Sequence, residues 1–109
     1  MPRQYRKERI SDLVVEELGK LVLKNVEIAG ALITIIDAEI SENLENALVR
    51  VSVWPSEKSD AVLKELNRQR NHLQYLMTKQ FRSRPIPQIT FKIDKGLEKA
   101  AGVEKALME

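Results

Sequence analysis

The chain contains no cysteine, which excludes disulfides and thiolate metal sites at once. Its single histidine, His72, has no second imidazole with which to hold a metal and no thiol to activate. The four glycines are scattered, so none of them builds a loop that could cradle a phosphate. No run approaches the ~18 apolar residues that a membrane span needs, and the first residues lack the apolar stretch of a signal peptide. These absences lead us to expect an unexported, cytoplasmic protein with no membrane partner and no cofactor. One further absence is local. Between Glu65 and Asp94 there is no acidic residue, while Arg68, Arg70, Lys79, Arg82, Arg84 and Lys92 all fall there. The stretch from Asn25 to Val49 is its counterpart, with Glu27, Asp37, Glu39, Glu42 and Glu45 and no Lys or Arg. A formal net charge of only +2 therefore hides a segregated chain with one electropositive limb. Such a limb attracts polyanions.

What is present is ordinary for a soluble globular domain. The 109 residues are 43% apolar and 31% charged, enough for one core but not for two. From about Gln4 to Lys24, residues Ile10, Leu13, Val14, Leu18, Leu21 and Val22 recur at helical spacing and give one apolar stripe. Lys20 and Lys24 suit the negative end of that helix, whereas Arg3, Arg6, Lys7 and Arg9 crowd its positive end. That arrangement costs stability unless an anion meets them. Ala31 to Ile40 reads as a strand with Leu32, Thr34, Ile36, Ala38 and Ile40 on one face and Asp37 and Glu39 on the other. Ser41 to Asn46 has the length of a hairpin connection. Ala47, Val49, Val51 and Val53 then alternate along a second strand, which Pro55 ends. Trp54 reads as a packing residue at the end of that strand, and Ser56 or Ser59 as the cap of the next helix.

From about Asp60 to Arg82 the period returns to that of a helix, with Val62, Leu66, Leu73, Met77 and Phe81 as the buried stripe. One turn of the stripe is polar, so a break is expected near Gln69–Asn71, where Asn71 tolerates a left-handed conformation. Pro85 and Pro87 impose an extended link. Ile89, Phe91 and Ile93 alternate along a third strand, and Leu97 to Met108 forms a short terminal helix interrupted by Gly102. The expected order is α-β-β-α-α-β. The hairpin strands are antiparallel, and the helical crossover returns the last strand parallel. This is an α+β fold with a three-stranded sheet and helices packed on one face.

Catalytic candidates are few. Asp37 and Glu39 lie about 7 Å apart along one strand face, where they could serve as an acid/base pair or simply as a solvated face that deters edge pairing. Binding candidates are better placed. On a regular helix Arg68, His72, Tyr75, Lys79 and Arg82 share one stripe, cations with an aromatic ring among them. Cations neutralise phosphates and a ring can stack on an unpaired base. The bland alternative is a solvated face with Tyr75 covering the core edge, but solvated faces interleave both signs and this one does not. Gln69, Arg70, Asn71 and Gln74 add donors at the expected break.

The order of elements and the closing segment Arg82-Ser83-Arg84-Pro85-Ile86-Pro87-Gln88-Ile89-Thr90-Phe91-Lys92-Ile93-Asp94 resemble the ribosome-binding factor A family, whose members have a type II KH-like fold. Glu39-Ile40-Ser41-Glu42-Asn43-Leu44, followed by Ala47, Val49 and Val51, is similar to the family's first hairpin, and Arg9-Ile10 with the following helix fits its N-terminal element. The resemblance covers about residues 5 to 108. Three departures stand out. Val26-Glu27-Ile28-Ala29 replaces the family's Asp-Pro-Arg-Leu turn, Asn43 replaces an acid in the hairpin, and Gln69-Arg70-Asn71 stands where an Ala-x-Gly kink replaces the KH GxxG loop. The resemblance implies a KH-like RNA-binding domain over residues 1–96 and a C-terminal tail, helical in part, over 97–109. It also implies a non-enzymatic, monomeric assembly factor that binds the immature 30S subunit and its 16S rRNA. Such a factor assists late rRNA processing, with a role in cold adaptation and a ribosome-associated GTPase as functional partner. On that reading Arg68, Arg70, Asn71, Lys79, Arg82 and Arg84 contact rRNA, with Arg6, Lys7, Arg9, His72 and Tyr75 as auxiliaries. The competing expectation is a protein-interaction module that works through the acidic hairpin while the basic segment only solvates.

Overall fold

Two long helices and three strands follow one another as α1 (Arg3–Asn25), β1 (Leu32–Ile40), β2 (Asn46–Trp54), a 3-10 turn at Ser56–Lys58, α2 (Ser59–Gln80) and β3 (Gln88–Ile93). The structure, a computed structural model, describes residues 3–81 and 86–94. Arg82, Arg84 and the expected terminal helix lie outside the described residues. The sheet order is β1-β2-β3, with β1 and β2 antiparallel and β2 and β3 parallel, as the hairpin and the helical crossover required.

β2 lies at the centre and shows why the helices cover one face only. Its alternate residues Ala47, Val49, Val51 and Val53 are buried, and Ile89 and Phe91 of β3 continue the same face. α1 adds Val14, Leu18 and Val22 to this core, and α2 adds Val62, Leu66, Leu73 and Met77. Each fully buried side chain of this size contributes about 1.5–3 kcal/mol, so the joint between helices and sheet is the main source of stability.

Four local expectations change. α2 is continuous from Ser59 to Gln80, and the break expected at Gln69–Asn71 is absent. The helix has no glycine or proline to break it, and its one polar turn is satisfied without breaking. Gln69 donates its side-chain amide to the Asn25 carbonyl and to Glu65 Oε1, both at 3.0 Å, which ties α2 to the end of α1. The helical order is thus one unbroken helix where two were expected.

β1 does not keep one face along its length. A bulge between Ile35 and Asp37 shifts the register, so Ile33 and Ile35 turn inward before it and Ala38 and Ile40 after it. Leu32, Thr34 and Ile36 are consequently exposed, because one extra residue reverses a period of two. Trp54 is not a packing residue: it is 72% exposed at the end of β2, opposite Leu32. Neither Ser56 nor Ser59 caps a helix by its side chain; Lys58 occupies the position before α2, and Ser59 is buried within its first turn.

Candidate nucleic-acid interface

α2 presents its two sides to different surroundings because its residues advance by about 100° each. Val62, Leu66, Leu73 and Met77 face the sheet, and Arg68, His72, Tyr75 and Lys79 fall on the opposite, exposed side. The first four members of the expected stripe therefore share one side and run roughly 16 Å along the helix from Arg68 to Lys79, while its fifth, Arg82, lies outside the described residues. Lys79 Nζ lies 4.7 Å from the centre of the Tyr75 ring, a cation–π pair that holds both groups at the surface. Tyr75 is 55% exposed, so it does not cover the core edge. Lys79 also stands in the last turn, where a cation complements the helix dipole.

Other candidates are placed less simply. Arg68 is bound to Glu65, its Nε lying 2.9 and 3.1 Å from the two carboxylate oxygens and its Nη2 bonded to Oε1. These bonds, with a further one from Gln69, hold the Glu65 carboxyl down at about 2. The same contact raises Arg68 above its ordinary value. The spacing of three residues carried that signal in the sequence. Arg70 lies about 160° round the helix from Arg68 and is half-buried, and Asn71 is exposed between the two flanks. Gln69 and Gln74 are structural rather than spare donors. Gln74 donates to the Pro87 carbonyl at 3.0 Å and accepts from the Ile89 amide at 2.9 Å, which docks α2 on the start of β3.

The start of α1 belongs to the same end of the molecule as the end of α2. Lys7 reaches Glu42 of the hairpin at 2.7 Å, so the hairpin supplies the anion that the crowded helix start called for. The Gln88 amide at the head of β3 bonds the Glu45 carbonyl at 2.8 Å, which brings the crossover to the same place. Arg6 and Arg9 are exposed on the same first turns of α1. The hairpin itself is closed by Asn43, whose Oδ1 accepts from Ser41 Oγ at 2.7 Å and from the Glu45 amide at 3.1 Å. Its Nδ2 donates to Glu45 Oε2 at 3.1 Å, a bond that an acid at this position could not make.

The carboxylate pair is divided. Asp37 takes a bidentate ion pair from Arg50, at 2.6 and 2.9 Å, whereas Glu39 is exposed. That contact raises the Arg50 guanidinium above its usual value. Among the described residues no group of His, Asp or Glu is arranged to hold a metal ion, and no helix is long and apolar enough to cross a membrane.

Comparisons with known proteins agree on one family. A family model described as Ribosome-binding factor A matches residues 6–107. Ribosome-binding factor A of Chlorobium limicola is 31% identical over 107 residues, covering 95% of this chain and 90% of that protein. The protein of the same name from Christiangramia forsetii is 27% identical over 112 residues, covering 98% and 86%. Among solved structures, the crystal structure of ribosome-binding factor A from Thermus thermophilus superposes with a TM-score of 0.66 at 19% identity, covering 80% of this chain and 94% of that one. Coordinates of the Thermus thermophilus factor fitted into a cryo-EM map of a 30S complex give a TM-score of 0.65 at 19% identity, covering 77% and 90%. Both share the α+β, KH-like fold seen here. With nearly its whole length matched by the family model, the chain belongs to the ribosome-binding factor A family.

Proposed function

We propose that this chain binds the immature 30S ribosomal subunit through 16S rRNA and assists late steps of that rRNA's maturation, without catalysis of its own. The observation that carries the proposal is the exposed stripe of Arg68, His72, Tyr75 and Lys79 on a helix whose later turns contain no acid. Family membership supports it, as does the Thermus thermophilus relative having been placed in a 30S complex. Lys79 and Tyr75 form the centre of the contact, supplying a phosphate-neutralising charge beside a ring that can stack. Asn71 adds a donor beside the stripe, Arg70 adds charge from the other flank of α2, Arg82 and Arg84 follow α2 in the sequence, and Arg6, Lys7 and Arg9 add charge from the start of α1. The factor acts in the cytoplasm as a monomer, is released with the help of a ribosome-associated GTPase, and matters most in the cold, when misfolded rRNA is slowest to rearrange.

A role for Asp37 and Glu39 in hydrolysis is disfavoured by the Arg50 ion pair, and an acidic hairpin surface is disfavoured by the engagement of Glu42 with Lys7 and of Glu45 with Asn43. Sedimentation of tagged protein through sucrose gradients at increasing salt tests the proposal. Co-migration with free small subunits that weakens steeply with salt is expected. Migration only as free protein at low salt would refute it, and so would loss of binding on Asp37→Asn with Glu39→Gln while Lys79→Glu with Arg82→Glu stays silent.

A further inference from the structure

Arg68 differs from the other members of the exposed stripe in being ion-paired within the molecule. Glu65, one turn earlier on α2, accepts from its Nε at 2.9 and 3.1 Å and from its Nη2 as well, so one edge of the guanidinium is fully engaged. The carboxylate that does this is itself held in place. The Glu65 side chain is only 22% exposed, and its Oε1 also accepts at 3.0 Å from the Gln69 amide, which is anchored on the Asn25 carbonyl at 3.0 Å. A chain of bonds thus runs from the end of α1 through Gln69 and Glu65 to Arg68. The Arg68 side chain is 70% exposed, and its Nη1 has no hydrogen-bond partner among the described residues.

This arrangement cancels a charge and leaves a fork. With the Nε and Nη2 edge taken, the terminal edge of the guanidinium still carries parallel N–H groups on Nη1 and Nη2, directed away from Glu65. A lone cation suits a phosphate. A phosphate at this fork would meet the negative charge of Glu65 close by, which weakens the contact. An uncharged group with two acceptors side by side meets no such repulsion. The O6/N7 edge of guanine is such a group, and it is the base edge that arginine pairs with most often. Unpaired RNA bases are read on their edges and stacked on aromatic rings. Tyr75 stands on the same side of α2 two turns farther on, about 10 Å away, where it offers the ring and Lys79 the charge that hold the strand.

We propose that Arg68 reads the O6/N7 edge of an unpaired guanine in the bound RNA, with Glu65 and Gln69 as the positioning residues that hold its free fork in place. The inference rests on RNA binding by this side of α2, as proposed above, and adds base selectivity to it. Lys79 supplies attraction, and Arg68 supplies choice.

The test measures binding of short single-stranded RNAs to the full chain over a range of salt, the strands differing only at one central base. Guanosine and inosine, which share O6 and N7, should bind alike and about ten- to hundredfold more tightly than adenosine, cytidine or 7-deazaguanosine. Arg68→Lys should remove this preference with the salt slope unchanged, because the charge beside Glu65 is kept and the fork is lost. Glu65→Ala should also remove the preference but steepen the slope by about one unit, since the freed cation can then meet a phosphate. A Glu65 that only stabilised the helix would change neither. Equal binding of all strands, a guanosine preference that survives Arg68→Lys, or a slope that Glu65→Ala leaves unchanged overturns the inference, and so does a chain that binds small subunits but none of the strands. Failure to bind both the strands and the small subunits overturns the underlying reading as well.

Discussion

The acidic stretch from Asn25 to Val49 and the basic stretch between Glu65 and Asp94 have mirrored compositions, but the fold treats their charges differently. In the acidic stretch Asp37 is paired by Arg50 across the sheet and Glu42 by Lys7 of α1. In the basic stretch only Arg68 has a described acidic partner, Glu65, which stands at the boundary of the stretch. The difference follows from the element that carries each. A strand meets whatever residue its register sets opposite it, however distant in sequence, so Asp37 can find Arg50. On the solvent-facing side of α2, the groups within reach of Arg68, His72, Tyr75 and Lys79 are neighbours three and four residues away on the same helix. The acid-free later turns of α2 therefore keep their cations available to something outside the molecule.

The largest effect that would break this contrast removes the support behind the helix. Leu73→Ala, at a wholly buried position of α2, should lower stability by about 2–5 kcal/mol in chemical denaturation, and the ordered stripe should be lost with it. Next comes charge itself. Lys79→Glu with Arg82→Glu should weaken small-subunit binding about ten- to hundredfold and flatten its salt dependence by about one unit of slope per phosphate contact, while costing only about 0.3–1 kcal/mol of stability from the lost helix-dipole contact of Lys79. A smaller effect sharpens the account of continuity. Gln69→Ala removes the bonds to Asn25 and Glu65 and should cost about 1 kcal/mol, while the helical circular dichroism stays constant because alanine favours the helix.

The smallest effect lies at the boundary pair. The Glu65 carboxyl is held at about 2, below its usual 4.5, by Arg68 and Gln69. Its stabilising contribution is thus complete above pH 4.5 and is lost as pH falls toward 2. Acid titrations of the native protein and of Glu65→Gln should diverge above pH 4.5 and converge near pH 2, by a small margin because the pair is exposed.

Much of the fold was legible because its elements rest on local periods. The alternation of Ala47, Val49, Val51 and Val53 and the spacing of Val62, Leu66, Leu73 and Met77 identify a one-faced sheet and the helix that covers it. The parts that were not legible depend on distant neighbours. Gln69 reads as a defect until the Asn25 carbonyl, 44 residues away, is seen to accept its amide. Ile36 reads as one more inward residue until the pairing with β2 leaves it over as the bulge. Trp54 reads as core because it is large and apolar, but it follows a buried valine on a two-residue period and so faces the uncovered side. For the candidate interface, the stripe of Arg68, His72, Tyr75 and Lys79 was readable from helical spacing. The flank position of Arg70 was hidden by the expected break, since a break would have reset its direction.

The amino-acid sequence alone determined the element types, the single covered face of the sheet and the segregation of charge, because each depends on residue identity and near-neighbour spacing. The tertiary structure decided which charges are neutralised and where along β1 the bulge falls. Only strand register and helix docking bring Arg50 to Asp37, Lys7 to Glu42 and Ser11 to Ala38, and nothing in the local pattern encodes those meetings.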